Sequence, residues 1–136
     1  MTDDPAAGNT CPFCKPEPQG LVTENELTRT IRDTKPVSPG HTLVVPRRHI
    51  ASYFDATPEE LAAIQEALFA AREAAVEEFQ PDAFNIGVND GWAAGQTVMH
   101  VHVHLIPRFL GDQDDPRGGV RWMIPEKAKY WGDEEA

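Results

Sequence analysis

His100, His102 and His104 are separated only by Val101 and Val103 and run into Leu105-Ile106-Pro107-Arg108. Imidazole titrates near neutrality and, when neutral, ligates metals, so the row suits either a metal comb or a nucleophilic or acid–base site. In an extended strand, side chains alternate between faces, which lines the three rings up ~6.6 Å apart on one side. The aliphatic residues between them take the other side. Burying Val101, Val103 and Leu105 sets the register, because a one-residue slip would drive all three histidines into the core. A lone histidine on a strand is usually a satisfied core or rim residue. Three in strict alternation are not explained by packing.

A second group with chemical potential is Cys11-Pro12-Phe13-Cys14, which holds the only two cysteines. Two are too few for a disulfide framework. A redox pair of this spacing would open a helix, but Lys15-Pro16-Glu17-Pro18 cannot continue one, because each proline lacks a donor and clashes with the preceding turn. Half of a tetrahedral zinc site fits better and requires two further ligands.

The 136 residues are read as one domain, with 25% charged and 40% apolar residues, ordinary for a soluble globular chain. A net charge of −10 argues against general nucleic-acid binding, which relies on Lys and Arg to neutralise phosphates. A small anionic substrate remains compatible if Arg47, Arg48, Arg108 or Arg121 cluster locally. No apolar run approaches the ~20 residues of a membrane span, and Met1-Thr2-Asp3-Asp4 does not resemble a signal peptide, so a cytoplasmic location is expected.

The elements that must position these groups follow from pattern. The first ten residues are small, polar and aperiodic, and disorder is expected there. Gly20 to Thr23 and Leu27 to Arg32 read as two strands around Glu24-Asn25-Glu26. His41 to Pro46 reads as a third. Thr57, Pro58 and Glu60 form a capping-box start to a helix that Pro81 stops, with Leu61, Ile64, Leu68, Ala71, Ala75 and Phe79 as its core stripe. Ala83 to Val88 and Thr97 to Ile106 read as the remaining strands. Strands joined mainly by short loops, with one strong helix after the third, indicate an α+β domain on an antiparallel sheet.

The segment His100-Val101-His102-Val103-His104-Leu105-Ile106 resembles the motif of the histidine triad (HIT) superfamily of nucleotide hydrolases and transferases. Gly95-Gln96-Thr97-Val98, Asn89 and the stretch Gly40-His41-Thr42-Leu43-Val44-Val45-Pro46-Arg47-Arg48-His49 extend the resemblance. It implies a HIT fold over residues 11–110, with about five antiparallel strands, one long helix and a short second helix. It also implies a homodimer. Residues 111–136 are then a C-terminal extension packing on the domain or on the dimer partner.

What the resemblance implies for function is specific. His102 would attack the α-phosphate of a nucleotide to give a nucleotidyl-histidine, and His104 would contact the phosphate and assist the leaving group. His41 would support the nucleophile, while Gly95, Gln96, Thr97 and Asn89 would meet the phosphates. Members with an N-terminal Cys-x-x-Cys bind structural zinc through positions that here are Cys11, Cys14, His49 and His100, a closed four-ligand site. No organic cofactor is expected. Dinucleoside polyphosphates such as diadenosine tetraphosphate lead as substrates. A purine nucleoside phosphoramidase and a zinc-stabilised nucleotide-binding module without turnover are the alternatives, and a catalytic metal comb is another. Galactose-phosphate nucleotidyl transfer fits less well, since those relatives carry glutamine where this chain has His104. In the extension, which looks like that of a bacterial diadenosine tetraphosphate hydrolase-like group, Arg121 is placed on a distal phosphate and Trp122 on a base, or the tryptophans pin the tail to a partner.

Overall fold

The computed structural model describes residues 10–132, so the expectation of disorder over 1–10 lies almost wholly outside the described residues. Five strands form one sheet: β1 (Leu21–Glu24), β2 (Thr28–Arg32), β3 (Thr42–Pro46), β4 (Ala83–Val88) and β5 (Val103–Arg108). Their order is β1-β2-β3-β5-β4, and each neighbouring pair is antiparallel. The β1–β2 turn is closed by Asn25, whose Oδ1 accepts from the Leu27 and Thr28 amides and the Thr28 hydroxyl. Asparagine suits this position because its side chain mimics a backbone acceptor.

The one α-helix, α1 (Pro58–Phe79), lies between β3 and β4 in sequence. Thr57 accepts from the Glu60 amide and the Glu60 carboxylate reaches back to the Thr57 amide, the reciprocal cap that the sequence predicts. At the other end Gln80 adopts the left-handed conformation at φ 53° and Pro81 follows. Its buried line is Ile64, Ala67, Ala71 and Ala75, at helical spacing. Leu61, Leu68 and Phe79, which pattern also places in the core, are only half-buried. The three alanines allow close approach to the sheet, so the larger side chains end up on the flanks of that contact. The remaining helical elements are 3₁₀ turns at Tyr53–Asp55, Trp92–Ala94, Gly119–Met123 and Pro125–Lys127.

Apolar packing covers both faces of the central strand β3, whose five residues are all buried. On the helix side Val44 and Val103 pack with Ile64 and Ala67. On the opposite side Ile31, Leu43 and Val45 pack with Phe13 and Leu21. Gly40 precedes β3 at φ +88°, and a Cβ there would come within 2.8 Å of the Phe79 ring, so this turn excludes other residues on both counts.

One expectation is corrected. The histidine strand starts at Val103, not Thr97, so only His104 of the three histidines sits in regular strand. The β3–β5 register pairs Thr42 with Leu105, Leu43 with His104 and Val44 with Val103. Continuing it would set Val101 opposite Pro46, which has no N–H to give. The Val101 amide instead donates to the Ile50 carbonyl at 2.8 Å. Side-chain alternation nevertheless survives the end of the ladder: Val101, Val103 and Leu105 are buried, and His102 and His104 face the other way, half-buried.

Replacing Thr57 with Ala removes one half of the capping box. Thermal or urea unfolding should show a loss of about 1 kcal/mol, the usual worth of such a cap, with the native spectrum unchanged.

Candidate functional site

The Cys-x-x-Cys turn is closed by the Cys14 amide on the Cys11 carbonyl. It is held against the sheet by Arg29 of β2, which donates to the carbonyls of Phe13 and Lys15. Across from it, His100 is fully buried and its Nε2 donates to the Pro46 carbonyl at 2.7 Å. That bond leaves Nδ1 as the lone-pair nitrogen. It lies 3.4 Å from each cysteine sulfur and 3.2 Å from His49 Nδ1, which is itself 3.2 Å from Cys14 Sγ. The four donor atoms all lie within 4.8 Å of one another. A tetrahedral zinc with ordinary Zn–S and Zn–N bonds separates its ligand atoms by roughly 3.3–3.8 Å. The donor set and spacing therefore fit a metal ion of this kind. Burial pushes the Cys11 thiol up to about 11, a cost that metal coordination offsets by replacing the proton.

His102 is oriented by the backbone of the same segment. Its Nδ1 donates to the His100 carbonyl at 2.9 Å, which leaves the Nε2 lone pair for chemistry. Phe13, from the cysteine turn, lies 5.3 Å from the His102 ring and 5.7 Å from that of His100. The cysteine turn thus reaches the nucleophile candidate through an aromatic contact that spacing alone did not reveal.

His104 belongs to a second chain of imidazoles. The Val37 amide donates to His41 Nδ1 at 3.1 Å, so the proton of neutral His41 is on Nε2. That N–H is 2.9 Å from His104 Nδ1 and 3.4 Å from an Asp33 oxygen. With its Nδ1 accepting, His104 carries its own proton on Nε2. Burial, aided by neighbouring His102 and His41 and opposed by Asp33, pulls His104 down to about 4. Burial likewise lowers His41, with Asp33 again opposing. Both rings are therefore neutral at pH 7, and His104 serves as a hydrogen-bond donor. Asp33 was not singled out from sequence; a lone carboxylate eight residues before a histidine carries no signal of its own.

The three histidines do not share a centre. Among the described residues, His100 groups with Cys11, Cys14 and His49, and His104 with His41 and Asp33, so a common metal comb is not what the geometry offers. The remaining predicted residues divide. Gly95 stands in the left-handed region at φ +97°, where an added Cβ would lie 3.9 Å from the Asn89 amide nitrogen; Asn89 and Thr97 are exposed nearby. Gln96 is buried, its Oε1 accepting from the Gly91 amide and its Nε2 donating to the Ala51 and Val98 carbonyls. Its amide braces the loop and leaves no side-chain donor for a phosphate. Nor do the arginines converge. Arg47 is held by Glu24, Arg48 by Glu60, Arg108 by Asp112 and Arg121 by main-chain carbonyls.

Comparison with known proteins gives the wider setting. A family model described as HIT domain matches residues 15–111. An adenylylsulfatase of Arabidopsis thaliana is 36% identical over 104 residues, covering 74% of this chain and 53% of that protein. A bis(5'-nucleosyl)-tetraphosphatase (asymmetrical) of Schizosaccharomyces pombe is 41% identical over 87 residues, 64% of this chain and 48% of that protein. The chain thus spans about half the length of these two enzymes. Among solved structures, a zinc-bound histidine triad family protein from Mycobacterium smegmatis superposes with a TM-score of 0.66 at 38% identity, covering 73% of this chain and 72% of that one.

The lowered His41 and His104 fix a sign for acid stability. An unfolded histidine takes up its proton near 6.5, whereas folded His104 waits until about 4. Between those values the unfolded state binds more protons, so stability falls as pH drops. Urea unfolding across pH 7.5 to 4.5 should show a shallower decline for His104→Asn than for the parent chain. Equal slopes would mean that His104 is not held neutral by its surroundings.

Proposed function

We infer that this chain, which belongs to the HIT domain family, is a nucleotidyl hydrolase acting at the α-phosphate of dinucleoside polyphosphates through a covalent intermediate on His102. The observation that carries the reading is the opposed pair of tautomers: His102 presents a lone pair and His104 an N–H at neighbouring rings 5.1 Å apart. That pairing suits in-line displacement. His102 Nε2 forms a bond to phosphorus while the bond from phosphorus to the departing bridging oxygen breaks, and the His104 N–H meets the charge that develops on oxygen. Water then attacks the same phosphorus, the P–N bond breaks and His102 regains its lone pair. Main-chain donors of the Gly95 to Thr97 turn, braced by buried Gln96, and the side chains of Thr97 and Asn89 would hold the nonbridging oxygens. His41 acts behind His104 by fixing its tautomer.

We assign a structural zinc ion to Cys11, Cys14, His49 and His100. Four protein ligands leave no open position, so its contribution when bound is to cross-link the cysteine turn to the strand end rather than to polarise the substrate. Free thiols at Cys11 and Cys14 suit the reducing cytosol, and among the described residues no helix is long and apolar enough to cross a membrane. A homodimer would use β4, one of the two edge strands of the sheet, where Ile86 is 56% exposed.

Two experiments test this reading. Acid-quenched turnover of diadenosine tetraphosphate should trap a nucleotidyl adduct on His102, and His102→Ala should lose on the order of 10³-fold or more in rate; undiminished turnover by that variant would remove the nucleophile. Metal analysis should find one zinc per chain, and Cys14→Ser should lose it and melt at lower temperature. An intact fold with unchanged metal content in Cys14→Ser would refute the four-ligand site.

A further inference from the structure

The cysteine turn carries two thiols that take no part in the proposed chemistry at phosphorus, yet it touches the residue that does. Cys11 is 1% exposed, while Cys14 is half-buried and followed by exposed Lys15 and Pro16. A small oxidant can therefore reach one sulfur before the other. The Cys14 amide on the Cys11 carbonyl closes the segment as a four-residue turn, which holds the Cα atoms at its ends within about 7 Å. A disulfide spans about 4.4–6.8 Å between Cα atoms. The two sulfurs already lie within 4.8 Å of each other, so a bond between them needs only local rearrangement. No helix opens at this turn, so the pair is not placed as a disulfide-exchange catalyst, whose reactive cysteine starts a helix. Its effect falls on its own surroundings.

Those surroundings include His102. Phe13, between the two cysteines in sequence, packs on Ile31, Leu43 and Val45, with its ring 5.3 Å from that of His102. On its other side His102 has the His104 ring at 5.1 Å. Drawing Cys11 and Cys14 together to an S–S bond of about 2.05 Å takes the sulfurs out of their present places, each 3.4 Å from His100 Nδ1. The Phe13 segment must turn with them. His100 itself stays tied through Nε2 to the Pro46 carbonyl, so its own carbonyl continues to hold His102 Nδ1. The change therefore reaches His102 through the Phe13 ring.

We propose that Cys11 and Cys14 are a site of reversible oxidation by hydroperoxides, and that the disulfide they form displaces Phe13 against His102 and slows the site. The inference names a regulation of the proposed hydrolase and rests on that reading for its effect on rate. The peroxide transfers one oxygen to Cys14 Sγ as its O–O bond breaks, leaving a sulfenic acid and an alcohol, or water when the oxidant is hydrogen peroxide. Cys11 Sγ then attacks the Cys14 sulfur. The S–S bond forms, the S–O bond breaks, and the oxygen departs as water with a proton from Cys11 or from solvent. Two electrons have passed from the thiols to the peroxide. Both sulfurs thereby leave the ligand set assigned to zinc, since metal binding needs the thiolate, and small cytosolic thiols reverse the bond by exchange.

The test treats the full chain with hydrogen peroxide and compares it with the zinc-free reduced chain. Peptide mapping should place a disulfide between Cys11 and Cys14, with the intact mass lower by two hydrogens, and a chromogenic chelator should record one zinc released per chain from loaded protein. Ring nitrogen–proton correlation spectra should show the His102 signals displaced and those of His41 in place. Hydrolysis of diadenosine tetraphosphate should fall roughly 10- to 100-fold, the span covered when a group that orients a site residue is lost, and should return with dithiothreitol and zinc. Phe13→Leu should form the same disulfide with similar rates in its reduced and oxidised forms. Sulfinic acid in place of a disulfide, or a disulfide that leaves the His102 spectrum or the rate of an active parent unchanged, would overturn the switch. If the parent turns over no nucleotide, the hydrolase reading fails, while displacement of His102 by the disulfide still supports the switch. A chain that binds no zinc refutes the four-ligand site, and the same comparison of spectra then decides the switch.

Discussion

The hydrogen bond from His100 Nε2 to the Pro46 carbonyl is the contact on which the site depends. His100 is fully buried, and a buried imidazole needs partners for both nitrogens. One nitrogen is satisfied by Pro46 at 2.7 Å, so the other must face the cysteines and His49. The same residue's carbonyl accepts from His102. One residue thus fixes two tautomers, the first by its side chain and the second by its main chain. Moving His100 by an ångström would disturb the Cys11, Cys14 and His49 cluster and the His102 ring together. This coupling would give the proposed zinc ion, though closed to substrate, a route to the proposed nucleophile through position alone.

A second main-chain contact orients the other half of the site. The Val37 amide decides the tautomer of His41, and His41 decides that of His104. The His102 and His104 rings therefore present opposite functions because two backbone groups of opposite polarity, a carbonyl and an amide, stand behind them. No charged residue is required for this. Burial keeps His104 neutral over the working range, so its N–H is a fixed donor and not a titrating one. Preorganised neutral donors of this type cost no reorganisation as charge develops on oxygen.

What was legible in the sequence is what period and local chemistry encode. Alternation told the faces of Val101 to Leu105 correctly, and Thr57, Pro58 and Glu60 told where α1 begins, because each signal is complete within a few residues. Where the strand starts was not legible, since that depends on Pro46, a residue more than fifty positions away lying across the sheet. Gln96 shows the same limit. The resemblance put its amide on a phosphate, but the acceptors that consume it, Ala51 and Val98 carbonyls, are partly set by tertiary packing. The cysteine pair signalled a metal, while the reach of Phe13 onto His102 and the hold of Arg29 on the turn emerged only from the folded geometry.

The charge of the molecule shapes how such a site can work. A net charge of −10 opposes approach of a polyanion at long range, and the arginines that sequence offered as a remedy are each spent on a local partner. Recognition in the proposed hydrolase would then act at short range. Beyond the ~8 Å over which salt screens the surface field, the acidic surface counts for little, and inside it hydrogen bonds from main-chain amides and from neutral His104 would carry the proposed recognition. Such a site discriminates by where oxygens and protons sit, not by total charge. The arrangement of tautomers behind His102 and His104 matters more here than any cation, which is why the buried bond to Pro46 ranks above the surface ion pairs in what it controls.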